Sequence, residues 1–267
     1  MRRFIIGDIH ARFDSMISVL KKAGFNPECD TLYSVGDICD RGEKDAETIA
    51  FLKTLPDFRP VLGNHDVWLE EYLLEGKTDE DWMKAGGLET IDSLKNNFTT
   101  SELKDIGEWL SSFPILRIED KDIIVHGGIP AGYDEDELIE LSHLRRPSPL
   151  TPSLLENISS AQTEEEKLDA ELQFFLWDRD YLFSAMKTEG KQIPPKYKNR
   201  WNEKRVVPPL ETERTIWSGH SQLIPEALPF ISHSYHLIAL DTGAGSGKGK
   251  LTLFDMDSQE YWQEKIF

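Results

Sequence analysis

Cysteine is nearly absent from this chain. Cys29 and Cys39 are the only two among 267 residues, too few for a disulfide framework, so a reducing compartment is the simpler setting. No stretch approaches the roughly 18 apolar residues that a membrane-spanning helix needs. Met1-Arg2-Arg3 resembles the start of a secretory signal, but Phe4, Ile5 and Ile6 alone separate it from Gly7-Asp8, too short for an apolar signal core. A cytoplasmic location is therefore expected, with no membrane partner. Basic residues are also scarce. Lys and Arg total 30 against 48 Asp and Glu, a formal charge of −18. That sign repels phosphate backbones and argues against extended nucleic-acid binding. A site for an anionic substrate must then be made positive locally, by metal ions or a few arginines.

What is present is an ordinary globular composition, 39% apolar, in a chain long enough for a sizeable core. The first third repeats an apolar run, a Gly-polar turn and a helical segment. Arg3–Ile6 reads as a strand ending at Gly7-Asp8, and Asp14–Gly24 as a helix with Met16, Ile17, Val19, Leu20 and Ala23 inward. Thr31–Val35 is the next strand, ending at Gly36-Asp37, and Ala46–Leu55 the next helix. Arg59–Leu62 is a third strand, ending at Gly63-Asn64-His65-Asp66. Such units predict parallel strands with crossover helices and functional residues past the strands' carboxyl ends. Val67 to Ser112 reads as mostly helical. Ile115–Ile118 and Ile123–Val125 read as strands, the second ending at His126-Gly127-Gly128. Beyond them come an acidic stretch at Asp134–Glu140, a proline-rich one at Arg146–Pro152, a helical one at Glu164–Leu176 and an irregular one at Lys187–Pro209. With no strong core pattern of its own, Ile129–Glu213 reads as an insert in a single domain spanning residues 1–267. Thr215–Trp217, His236–Leu240 and Lys250–Phe254 read as strands of a second sheet, with a last strand near Tyr261–Ile266.

Chemistry concentrates at strand ends: Gly7-Asp8-Ile9-His10, Gly36-Asp37-Ile38-Cys39-Asp40-Arg41-Gly42, Gly63-Asn64-His65-Asp66, His126-Gly127-Gly128 and, late, Gly219-His220. Carboxylate, imidazole and amide oxygen together suit divalent manganese, iron or zinc. In extended chain Asp8 and His10 face the same side, so both can grip one ion. Each piece alone is more simply a turn or a solvated histidine; it is the ordered set that carries the signal.

This set resembles the phosphoprotein phosphatase family of calcineurin-like metallophosphoesterases, over Met1 to about Gly128 and again from about Thr215 onward. The resemblance implies an α/β fold, a four-layer αββα sandwich of two mixed sheets flanked by helices. It also implies two divalent metal ions, manganese first, with iron or zinc as alternatives. By it Asp8 and His10 hold the first ion, Asp37 bridges, and Asn64, His126 and His220 complete the second. Ala11 stands where the family usually has glycine, at a cost in backbone freedom but not in ligands. An ion pair about 3.5–4 Å apart activates a bridging water for in-line attack on phosphorus. Arg41 is the first candidate to bind the phosphate, with Asn64 beside it. Arg179, in a Trp-x-Arg setting that resembles phage-type members, is the second; an ordinary surface ion pair is its plainer explanation. His65 is expected to be the general acid rather than a ligand, with Asp40 fixing its tautomer and favouring its charged form; a helix N-cap is the plainer role for Asp40.

Other features carry less. Cys39 suits a buried filler, and His143, His233 and His236 suit structural or solvated roles. Glu164-Glu165-Glu166 suits a helix N-terminal turn. Gly243–Gly249 lacks the spacing of a nucleotide P-loop and is expected to be a hairpin. The intact Asp40-Arg41 pair with His65 favours a serine/threonine phosphomonoesterase acting on phosphoproteins. The alternative is a symmetrical diadenosine tetraphosphate hydrolase, which this chain resembles in Gly-Asn-His-Asp and in the Gly-Gly-Ile-Pro after His126. A non-catalytic module would show eroded ligands, and none is eroded.

Overall fold

The computed structural model describes residues 1–143, 163–198 and 206–266; the proline-rich stretch at 146–152 lies outside the described residues. Two five-stranded sheets face each other. In the first, β1 (Arg3–Ile6), β2 (Thr31–Ser34) and β3 (Phe58–Pro60) run parallel, as the repeating pattern predicts. In the second, β5 (Asp122–Val125), β6 (Thr215–Ser218) and β8 (Leu237–Ala239) run parallel, flanked by antiparallel β4 (Leu116–Ile118) and β7 (Phe230–Ser232). The first sheet is completed by β9 (Lys250–Asp255) and β10 (Tyr261–Lys265), in the order β10-β9-β1-β2-β3. This corrects the assignment of Lys250–Phe254 to the second sheet. Alternation marks a strand but not its partner, and β9 pairs antiparallel with β1, Ile5 opposite Phe254. The short β7 has no expected counterpart in the sequence reading.

Burial follows the pleat. Ile5, Tyr33, Val35 and Phe254 from one sheet meet Ile124, Trp217, Ile238 and Leu240 from the other in a buried layer between them. Phe4 and Ile6, one residue either side of Ile5, face the opposite way into the larger core beneath the helices. Helix α1 (Phe13–Lys22) packs on β9 and β10 with Met16, Val19 and Leu20 buried. Arg3 links the sheets, its guanidinium 2.6 Å from the carboxylate of Asp122, whose other oxygen accepts Trp217 Nε1–H at 2.8 Å.

The remaining helices of the first half are α2 (Asp45–Thr54), α3 (Asn64–Glu75), a single turn α4 (Glu80–Trp82), α5 (Leu88–Asn97) and α6 (Thr100–Ser111). A π-helical turn, Met83–Gly87, joins α4 to α5. The acidic stretch after β5 forms α7 (Glu135–His143), and α8 (Glu164–Trp177) and α9 (Asp180–Thr188) follow. Helix α9 lies against β8. Phe175, Leu176, Tyr181 and Phe183 of α8 and α9 belong to the same buried cluster as Phe4 and Ile6.

Candidate active site

The carboxyl ends of six parallel strands converge on one edge of the two sheets. Past β1, β2 and β3 come Asp8 and His10, Asp37 to Arg41, and Asn64 with His65; past β5, β6 and β8 come His126, His220 and Asp241. The backbone there is held in conformations that L-residues avoid. Among the described residues nine non-glycines have positive φ, and six of them are His10, Ala11, Asp37, Asp40, Arg41 and His220. Each left-handed residue costs about 1–2 kcal/mol, and clustering of such strain is a mark of functional sites. Gly63 and Gly219 are needed for space: a Cβ on either would overlap the carboxylates of Asp37 and Asp8, respectively.

Asp66 ties two of the loops together. Its carboxylate accepts the amides of Gly63 and Asp37, each at 2.8 Å, and of Ile38 at 2.9 Å. Asp37 in turn accepts the His65 amide at 3.0 Å. The structure places Asp8, His10, Asp37, Asn64, His126 and His220 in one buried region. Among the described residues, two groups of ligand-type atoms lie mutually within 4.8 Å: His10, Asp37 and His65, and Asp37, His126 and His220. Asp37 is common to both. Asp8 is in neither group; its carboxylate accepts the His220 amide at 3.0 Å. His65, expected outside the ligand set, lies within it by distance.

The donor set fits cations on two observations. His126 Nδ1–H donates to the Val35 carbonyl at 2.7 Å, so its Nε2 faces Asn64 Oδ1 at 3.1 Å and Asp37 Oδ1 at 3.4 Å. A bare lone pair against two oxygens is repulsive, and a cation at that point removes the repulsion. A proton serves in its absence: burial opposes a charged His126, yet Asp37 raises it to about 9. Second, among the described residues Nε2 of His220 is buried with no hydrogen-bond partner, which a metal ion would supply. His10 Nδ1–H is likewise committed, to the Cys39 carbonyl at 3.0 Å, which leaves Nε2 as an acceptor. Carboxylates crowd the site. Burial first, then Asp241, lifts Asp8 well above the usual carboxylate range, whereas for Asp37 the neighbouring His126 and His65 outweigh burial and hold it well below.

Arg41 lies within hydrogen-bond distance of two imidazoles, NH1 3.0 Å from His10 Nε2 and NH2 2.6 Å from His65 Nε2. His65 Nδ1 is 2.5 Å from Asp40 Oδ2. Asp40 is buried and caps no helix; Lys44 precedes α2. The charge on His65 differs from expectation. Nδ1–H donates to Asp40, and Nε2 accepts from Arg41, so the ring is neutral here. Burial, with Arg41 assisting, outweighs the attraction of Asp37 and lowers His65 to about 3, and burial raises Asp40 to about 7. Arg179 follows α8 and is half-buried, with its guanidinium 5.4 Å from the Tyr197 ring centre and NH1 donating to the Trp177 carbonyl. The Trp177 ring meets His220 edge-on at 5.5 Å, so α8 brings this stretch to the rim of the site.

Asp241 was not anticipated. It is buried, accepts the Gly243 amide at 3.0 Å, and is raised to about 6 chiefly by burial. The apolar run ending in Leu240-Asp241 repeats the strand-end signal of the first third, but here the carboxylate precedes its glycine. The Gly243–Gly249 segment is not a hairpin: it crosses from β8 in the second sheet to β9 in the first. Its Gly245 packs so closely on His10 that any side chain would overlap the imidazole. Beside Arg41 opens a cleft of about 400 Å³ whose lining includes Met83, Lys84 and Glu89.

Comparison with known proteins agrees with this geometry. Residues 1–205 match the calcineurin-like phosphoesterase family. Proteins named symmetrical bis(5'-nucleosyl)-tetraphosphatase align along the whole chain. The one from Vibrio campbellii is 32% identical and covers 99% of both chains, and that from Hamiltonella defensa is 28% identical over 100% of this chain and 98% of its own. A serine/threonine phosphatase structure from Saccharomyces cerevisiae superposes with a TM-score of 0.57 at 15% identity, over 99% of this chain and 79% of its own, and so supports the fold alone. With carboxylates and imidazoles gathered at the strand ends of two facing mixed sheets, and the family match across them, this chain belongs to the calcineurin-like metallophosphoesterases and is a phosphoester hydrolase.

Proposed function

We propose that this hydrolase cleaves dinucleoside tetraphosphates symmetrically, releasing two nucleoside diphosphates. The reading is carried by the end-to-end alignment with relatives of that name, in which no large segment of either chain is left over. It reverses the order of preference drawn from the sequence motifs. The cleft beside Arg41 supports it by giving room for more than a phosphoryl group.

Asp8, His10, Asp37, Asn64, His126 and His220 are assigned to hold two divalent cations, manganese first and iron or zinc as alternatives. When bound, such a pair supplies Lewis-acid stabilisation of phosphoryl oxygens and lowers the pKa of water. Arg41 is assigned to the phosphate. Its guanidinium fork spans His10 and His65, and anionic oxygens are better partners for it than neutral imidazoles. Moving onto them withdraws a cation from His65 Nε2, which can then take up a proton from water and give it to the departing oxygen, with Nδ1–H still held by Asp40. Arg179 approaches from the rim formed by α8, and the insert is assigned to the same single domain, its described helices α7 and α9 packing on β4 and β8.

A second reading, a serine/threonine phosphomonoesterase, is favoured by the Asp40–His65 hydrogen bond. A serine alkoxide leaves poorly and needs a proton, whereas a nucleoside diphosphate leaves readily without one. The test is direct. The manganese-loaded protein is given diadenosine tetraphosphate and a phosphoserine peptide at equal concentration, and products are separated by chromatography. ADP as the main product is expected; phosphate from the peptide with no ADP would replace the proposal with the second reading.

A further inference from the structure

The hydrogen bonds around Asp40 extend beyond the strand-end motifs. Its Oδ2 accepts Trp82 Nε1–H at 2.8 Å as well as His65 Nδ1–H at 2.5 Å, and its Oδ1 accepts Thr90 Oγ1–H at 2.5 Å. Both oxygens are thus occupied, and rotation of the carboxylate would break at least one bond. Thr90 is itself anchored: Asp45 Oδ1 lies 3.0 Å from its hydroxyl and also accepts the Asp40 amide at 2.8 Å. Trp82 and Thr90 are both buried.

They are brought together by an irregular backbone. Between them runs the π-helical turn, in which Gly86 has φ 117°. A Cβ on Gly86 would lie 2.5 Å from the Arg41 amide nitrogen, and one on Gly87 would lie 2.7 Å from the Trp82 ring. The two glycines therefore let the turn sit between the Asp40-Arg41 backbone and the indole. Such π-turns are frequent at functional sites.

We propose that Trp82 and Thr90 are positioning residues that hold Asp40, and through it His65, in line with the leaving group. The inference rests on His65 acting as general acid, but not on which phosphoester is the natural substrate. Both act through their hydrogen bonds to Asp40.

The test uses the manganese-loaded, full-length protein with nitrophenyl phosphate, whose leaving group needs no proton, and an alkyl phosphate, whose leaving group does. General acids contribute about 10²–10⁴ in rate, so partial misalignment in Trp82→Phe and Thr90→Val is expected to lower kcat for the alkyl ester by about tenfold. KM and nitrophenyl phosphate turnover are expected to stay within about twofold, and Thr90→Ser to restore the alkyl rate. In a His65→Asn background neither substitution should cost anything more, because the group they position is gone. Thermal unfolding and metal content are measured alongside; should Thr90→Val fail to fold, Trp82→Phe carries the comparison, since it keeps an aromatic six-membered ring while removing the indole N–H. Equal slowing of both esters, or further loss in the His65→Asn background, would overturn the positioning role alone. If His65→Asn slows both esters equally, the general-acid assignment falls and the inference with it.

Discussion

At the scale of single residues, the site is strained backbone held in place by buried hydrogen bonds. Ala11 shows the strain most simply. It sits at φ 52° directly after His10 and is buried. Glycine at this position adopts the same conformation without the Cβ clash, although it also raises the entropy of the unfolded chain. Ala11→Gly is therefore expected to stabilise the protein by about 0.5–1 kcal/mol, read as a higher urea midpoint at unchanged slope. A lower midpoint would mean that the methyl group's packing outweighs the relief. The residue lies beside a motif legible in sequence, but its strain is not: alanine elsewhere in the chain is an ordinary helix former.

At the scale of elements, the fold was readable where signals are local. The apolar runs and their Gly-polar turns placed β1, β2 and β5 within a residue or so, and the motifs placed the site at their ends. Pairing is nonlocal and was less readable. The alternation of Leu251, Leu253 and Asp255 marks a strand, but it does not say that the strand crosses back to β1. Trp82 and Thr90 carry no sequence signal for the same reason, because their meaning depends on a carboxylate some 40 and 50 residues earlier. Asp66 joins elements in a way that mutation can expose. It lies in the first turn of α3 and accepts three buried amides from two loops. A buried donor left without an acceptor costs about 1–3 kcal/mol, so Asp66→Ala should lose at least about 3 kcal/mol of stability. It should also weaken manganese binding, since Asp37 is no longer held. Denaturant unfolding and calorimetric titration would check both; unchanged metal affinity would show that Asp37 is positioned without Asp66.

At the scale of the molecule, a chain with formal charge −18 buries many of its acids around one site. Without cations that site retains protons at neutral pH. Burial raises Asp40 and Asp66 to about 7, and His126 stands at about 9 against the cost of burial because of Asp37. Between pH 6.5 and 8.5 the folded chain thus binds protons that the unfolded chain has released, and stability falls as pH rises. His10, His65 and His220, all lowered first by burial, act in the opposite sense only below about 6.5, where the unfolded histidines take up protons. The metal-free protein is expected to melt at a lower temperature at pH 8.5 than at pH 6.5, and manganese to flatten that dependence by replacing the His126 proton. A flat metal-free profile in a thermal scan would contradict the assignment. The antiparallel pairing of β1 with β9 has a consequence for biogenesis. β1 is made well before β9, so Phe4, Ile5 and Ile6 keep an open sheet edge until Leu253, Phe254 and Asp255 emerge. Asp8 likewise meets His220 only after more than 200 further residues have been made. A chain stopped short of β9 therefore presents an unpaired edge, the kind of surface that promotes aggregation during synthesis.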